Sequence, residues 1–167
     1  MNSIIILGLP GSGKSTMGKY LSNIHKCQHI SLGEIYRNFK FENDERNNIN
    51  DNLSQYLVSR LMEKVSPEEN MVIIDGIQPD QLNLIHHIYP ISKIIKMVYN
   101  PNDESELNDI IKRMEERNRE DDSNIKDRIF RHYNRMIKKE KVLQRFKSFK
   151  RIEYKEVSSF VSYPQKN

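Results

Sequence analysis

Residues 8–16, Gly8-Leu9-Pro10-Gly11-Ser12-Gly13-Lys14-Ser15-Thr16, constrain this chain more than any other stretch. They follow a β-branched apolar run at 3–7 and precede a helical pattern, so they read as a strand-to-helix turn whose glycines let backbone N–H groups point inward. Such a P-loop cradles phosphate oxygens at a helix N-terminus, where aligned donors and a partial positive charge meet the anion. Lys14 adds a point charge for the β- and γ-phosphates, and Ser15 adds a hydroxyl that can ligate Mg²⁺. Gly8, Gly11, Ser12, Gly13, Lys14, Ser15 and Thr16 are therefore the candidate ATP-binding residues.

The 167 residues are enough for one domain with a real core, and no disulfide or metal is needed to explain folding. The single cysteine, Cys27, excludes an intrachain disulfide, fits a reducing compartment, and reads as a small buried side chain in a short strand. The start runs directly into the first strand without a basic segment or cleavage site, and no apolar run is long enough to span a bilayer. The expectation is a soluble, cytoplasmic chain. Net charge is +4, but residues 126–151 hold eleven Lys or Arg against two acids. Part of that excess suits a protein that surrounds several phosphates. A solvated basic helix or a nucleic-acid surface remain open for the rest.

Apolar spacing predicts a helix over 14–24, with Met17, Tyr20, Leu21 and Ile24 facing a sheet. A short strand at 27–30 follows. Ser31 and Glu34 then fit a capping box for a helix carrying Ile35, Tyr36 and Arg37. The polar stretch 42–52 reads as a loop, and Leu53, Leu57, Val58, Leu61, Met62 and Val65 mark another helix. Residues 71–74 form a strongly apolar strand ending in Asp75-Gly76. A carboxylate at the end of a buried strand needs a partner, and beside a P-loop that partner is the Mg²⁺ shell. A helix over 79–88, a strand over 93–99 and a helix over 103–117 with Leu107, Ile110, Ile111 and Met114 on one face come next. Residues 118–122 are entirely polar. A long helix from 123 to about 146 carries Ile125, Ile129, Tyr133, Ile137, Leu143 and Phe146, with its phase slipping near Glu140, and 151–157 alternates like a last strand. Strands alternating with helices predict an α/β fold, a five-stranded parallel sheet flanked by helices, with insertions near 32–65 and 113–128 on one domain spanning 1–167.

Three further stretches carry a resemblance. His29-Ile30-Ser31-Leu32-Gly33-Glu34-Ile35-Tyr36-Arg37 resembles the segment of adenylate kinases and UMP/CMP kinases in which Ser-Thr-Gly-Asp leads to an arginine for the acceptor phosphate. Ile73-Ile74-Asp75-Gly76 resembles their Asp-Gly strand end. Arg113 and Arg117, then Arg119-Glu120-Asp121-Asp122, then Arg128 resemble the lid of the short-lid members. The likeness covers nearly the whole chain and identifies an adenylate kinase-like nucleoside monophosphate kinase.

By that resemblance the reaction is phosphoryl transfer from Mg·ATP to a nucleoside or deoxynucleoside monophosphate, performed by a monomer with small nucleotides as partners. Lys14, Arg113, Arg117, Arg119 and Arg128 are the implied catalytic residues. Ser31, Gly33, Arg37, Gly76, Gln78 and Gln81 are implied to bind the acceptor, and Ser15, Glu34 and Asp75 to serve Mg²⁺. Chemistry points the same way, because phosphoryl transfer asks for positioning and cationic stabilisation, and guanidinium forks suit phosphate oxygens.

The chain departs from the family at three places. Leu32 replaces a hydroxyl, Glu34 replaces Asp, and Ile77-Gln78-Pro79 stands where the family has Phe-Pro-Arg, so the second acceptor-phosphate arginine is missing at position 79. Arg46 and Arg60 are the nearest replacements by sequence. Two other readings stay open: a P-loop kinase of another small acceptor, and a nucleotide- or nucleic-acid-binding module using the basic 126–151 segment with little kinase activity.

Overall fold

The computed structural model describes residues 1–42, 50–117 and 124–161, with side chains at all of these except 39–42 and 50–55. Five strands form one parallel sheet in the order β2-β3-β1-β4-β5: β1 Asn2–Gly8, β2 Gln28–Ser31, β3 Met71–Asp75, β4 Ile91–Val98 and β5 Glu153–Ser158. The strands at the centre are apolar on both sides because both sides are covered. Ile4 and Ile6 of β1 pack with Met17, Ile73, Ile95 and Met97 on one face. Ile5 and Leu7 pack with Ile74, Ile94, Leu143 and Phe146 on the other.

Helix α1, Lys14–His25, covers the first of these faces, with Met17 buried and Tyr20 and Leu21 partly so. Ile24, expected to face the sheet, is 47 % exposed, since the helix leaves the sheet before its last turn. Cys27 packs against the same cluster only half-buried, just ahead of β2. Helices α2, Leu32–Glu42, and α3, Asn50–Lys64, lie between β2 and β3 in sequence. Leu57, Leu61 and Val65 are buried, whereas Met62 is exposed on the opposite flank. The start of α3 at Asn50 corrects the loop expected to run to residue 52. Residues 43–49, which include Arg46, lie outside the described residues, as does the side chain of Leu53.

The helix expected at 79–88 is a single 3-10 turn, Pro79–Gln81, followed by α4, Leu82–Ile88. Helix α5, Glu104–Glu116, is capped by Asp103, whose carboxylate accepts from the Glu106 N–H at 3.1 Å. The long helix expected from 123 is two, α6 Ile125–Lys138 and α7 Glu140–Lys147, broken at Lys139 where the apolar phase slips. Ile129, Leu143 and Phe146 are buried as the spacing requires. Ile137, expected in the same stripe, is 55 % exposed. Among the described residues no helix is long and apolar enough to cross a membrane.

Candidate active site at the carboxyl ends of the central strands

The loop between β1 and α1 is built as the glycines demand. Gly11 and Gly13 have φ of +75° and +86°, a region L side chains avoid, and Gly13 is the residue from which α1 starts. The Leu9 carbonyl accepts from the Ser12 N–H at 3.2 Å and from the Lys14 ammonium at 2.7 Å, which draws the lysine across the loop. The Ser12 hydroxyl is buried with no partner among the described residues, so its side chain faces the loop interior. Ser15 is half-buried at the start of α1 and Thr16 is exposed. Tyr99, at the end of β4, donates to the Pro10 carbonyl at 2.8 Å, and burial pushes its phenol above the usual range, so it stays a neutral donor. Sequence reading passed over Tyr99, since a tyrosine at a strand end carries no signal of what it will reach.

Asp75 sits at the end of β3 with 1 % exposure. Burial alone would raise its carboxyl, yet its pKa is lowered on balance, because His29 Nε2 lies 2.9 Å from Oδ2, the Ser31 hydroxyl donates to Oδ1 at 2.7 Å, and Lys14 adds its field. The carboxylate is therefore charged and fixed in orientation, and each oxygen keeps a further acceptor site. The Ser31 hydroxyl proton is committed to Asp75, while its oxygen keeps its acceptor capacity. His29 fits because its neighbour on α1 is Gly18, where any Cβ would overlap the imidazole. Nothing in the spacing of the sequence marks that pairing.

The acceptor candidates gather beside Asp75. A Cβ on Gly33 would lie 3.7 Å from Arg37 Nη1 and 3.8 Å from Ser31 Oγ. Gly76, at φ +77°, passes so close to α2 that a Cβ there would stand 2.5 Å from the Gly33 backbone nitrogen. Glu34 is exposed in the first turn of α2. Gln81 is occupied, its Oε1 accepting from the Gln78 N–H at 2.9 Å, while Gln78 Oε1 is buried without a partner among the described residues. Arg60 pairs with Glu63 at 2.8 Å and lies over the Tyr56 ring, on the exposed flank of α3.

The arginines of the expected lid divide. Arg113 donates to the Ser159 carbonyl at 2.9 Å and stacks 4.7 Å over Phe160, so α5 is tied to the chain beyond β5. Arg117 closes α5 as its C-cap. Residues 118–123, with Arg119, Asp121 and Asp122, lie outside the described residues. Arg128 is half-buried in the first turn of α6, and one turn on stands His132. Its imidazole is pushed down to about 4, first by burial and then by Arg128, Lys14, Arg135 and Arg131. Leu9 of the loop packs in one cluster with Ile129, Tyr133 and Met136, which sets α6 beside the P-loop. A cavity of about 320 Å³ lies on the core side of α6, lined by Leu9, Val98, Tyr99, Tyr133 and Met136, away from this cationic flank.

Charge bunched at the ends of parallel strands around a glycine turn is the arrangement of a nucleotide site. A family model described as "AAA domain" matches residues 4–84, from β1 into α4. Three proteins named "Adenylate kinase" are similar: that of Borreliella burgdorferi at 53 % identity over 20 % of this chain and 16 % of its own, that of Mycoplasma mobile at 30 % over 50 % and 43 %, and that of Mycoplasmopsis pulmonis at 27 % over 53 % and 46 %. Residues 4–84 are a P-loop domain of this type, and about half of the chain is similar to adenylate kinases. Each match spans less than half the relative's length.

One pH effect follows for this chain. Unfolded, His132 takes a proton near pH 6.5; folded, it resists until about 4. Between these values the unfolded chain binds more protons, so stability falls as pH drops from about 6.5 toward 4. Urea unfolding at pH 7 and pH 5 should show that loss in the wild type and a smaller loss in His132→Asn.

Proposed function

We propose that this domain transfers the γ-phosphoryl of Mg·ATP to a nucleoside or deoxynucleoside monophosphate. The observation that carries the proposal is the glycine loop with Lys14 drawn across it and, at the end of the adjoining strand β3, paired in register with β1, the buried Asp75 carboxylate. The loop N–H groups and Lys14 hold the donor polyphosphate. Arg37, beside Gly33 and Gly76, takes the acceptor phosphate. Arg119 and Arg128 meet the charge that spreads over the transferred group, and Arg113 and Arg117 frame the donor side.

Asp75 and Ser15 fit Mg²⁺, with Glu34 further out. No group of three or more His, Cys, Asp or Glu among the described residues could hold a metal by itself, which suits an ion that travels with ATP and is completed by one carboxylate, one hydroxyl and water. Bound there, Mg²⁺ would neutralise phosphate charge. His29 and Ser31 keep Asp75 ionised and aimed.

The second reading, another small phosphate or hydroxyl acceptor, is favoured by Pro79 alone, because it removes one acceptor-phosphate cation. A panel of AMP, CMP, UMP, GMP and dTMP with Mg·ATP, read by product identity, separates the two. One monophosphate should yield its diphosphate, and Arg37→Ala should raise its KM about 10- to 100-fold, the worth of one charge-assisted contact. ATP consumption without any diphosphate product would favour the second reading.

A further inference from the structure

We propose that Arg135, on α6, is the second cation for the acceptor phosphate, supplying from a different helix the charge that Pro79 denies to the usual position. The assignment rests on the kinase reading above and deepens it. Arg128, His132, Arg135 and Lys139 follow one another at four, three and four residues, which places all four within about 60° of one another around the helix axis and over about 16 Å of its length. Two observations place the helix that carries this stripe. Toward its start, Leu9 of the P-loop packs in one cluster with Ile129, Tyr133 and Met136 on the adjoining face, and His132 lies in the field of Lys14. At its end, Lys139 Nζ lies 2.8 Å from Asp80 Oδ1, so this part is docked on the Pro79–Gln81 turn, where the missing arginine would have stood.

Arg135 stands between these anchors. Its guanidinium is exposed and has no ion pair among the described residues, unlike Arg60, which is held by Glu63 on the outside of α3. A phosphate held by Arg37 in the gap bounded by the P-loop, Gly76 and the 79–81 turn thus has a second fork available from the side of α6. An arginine long enough to reach from a helix flank needs no space in the buried turn, where Pro79 is packed.

The test measures KM and kcat for the acceptor turned over fastest, and KM for ATP, in wild type, Arg135→Ala, Arg135→Lys and Lys126→Ala. Lys126 is exposed on the same helix, about 120° or more around the axis from the stripe, and serves as the control for net charge. Arg135→Ala should raise the acceptor KM about 10- to 100-fold with kcat and the ATP KM changed less than about threefold. Arg135→Lys should recover most of that loss, and Lys126→Ala should behave as wild type. An acceptor KM unmoved by Arg135→Ala, or moved equally by Lys126→Ala, overturns the assignment while leaving the kinase reading in place. Failure to phosphorylate any monophosphate while Mg·ATP still binds overturns the kinase reading, and this assignment with it.

Discussion

Lys14→Met folds and loses phosphoryl transfer by at least about three orders of magnitude. The side chain keeps its length but not its charge, so what is removed is the cation that must follow negative charge as it shifts between the β- and γ-phosphates. A loss on that scale corresponds to about 4 kcal/mol of transition-state stabilisation. The fold should survive because the Leu9 carbonyl, which loses a donor, still accepts from the Ser12 N–H, and because Gly13 rather than Lys14 sets the start of α1. Asp75 provides a second readout. Lys14 contributes to holding its carboxyl low, so acid unfolding of the variant should begin at a higher pH. Turnover above a tenth of wild type in a folded Lys14→Met would remove the loop from the chemistry.

Arg128→Ala is expected to lower kcat by about two to three orders of magnitude, or roughly 3 to 4 kcal/mol, while the KM for ATP changes less than about threefold. That split follows from the proposed role of Arg128, in the first turn of α6, on the transferred group, whereas Arg113 is occupied by Ser159 and Phe160. Arg119→Ala should behave alike if the lid reading holds. The same substitution has a readout that needs no substrate. Arg128 is the first of the charges that depress His132, so its removal should raise the His132 pKa, measurable by NMR titration. A variant that loses mainly ATP affinity would place Arg128 on the donor, not on the transferred group.

Most of the architecture was readable because it depends on short-range pattern. The buried strands announce themselves as apolar runs, and the Asp103 cap and the stop after Val65 are written in adjacent residues. The phase slip at Glu140 marked a real break, although spacing alone did not say that the helix would end there. What the linear pattern left out was set by neighbours. The Ser31 hydroxyl donates to a buried carboxylate 44 residues away, and Gln81 Oε1 accepts from the Gln78 N–H, contacts that residue type alone does not announce. Ile24 and Ile137 were in phase with their stripes and still ended outside, since the stripe is longer than the surface it covers.

By itself, then, the sequence determined the nucleotide-binding loop, the alternation of strands and helices, and the types of residue that phosphoryl transfer would need. Glycine geometry, apolar period and charge act over a few residues, and a few residues are what a linear reading sees. Which cations meet at one point was decided only by the tertiary structure. The order β2-β3-β1-β4-β5 sets the end of β3, with Asp75, beside the end of β1, the absent side chain of Gly18 makes room for His29, and the Lys139 to Asp80 pair ties the end of α6 to the Pro79–Gln81 turn. Arg128, His132 and Arg135 stood at helical spacing from the outset. The direction in which that flank points is set by packing of α6 on Leu9, Tyr99 and α5 and by the pair to Asp80, which no local pattern encodes.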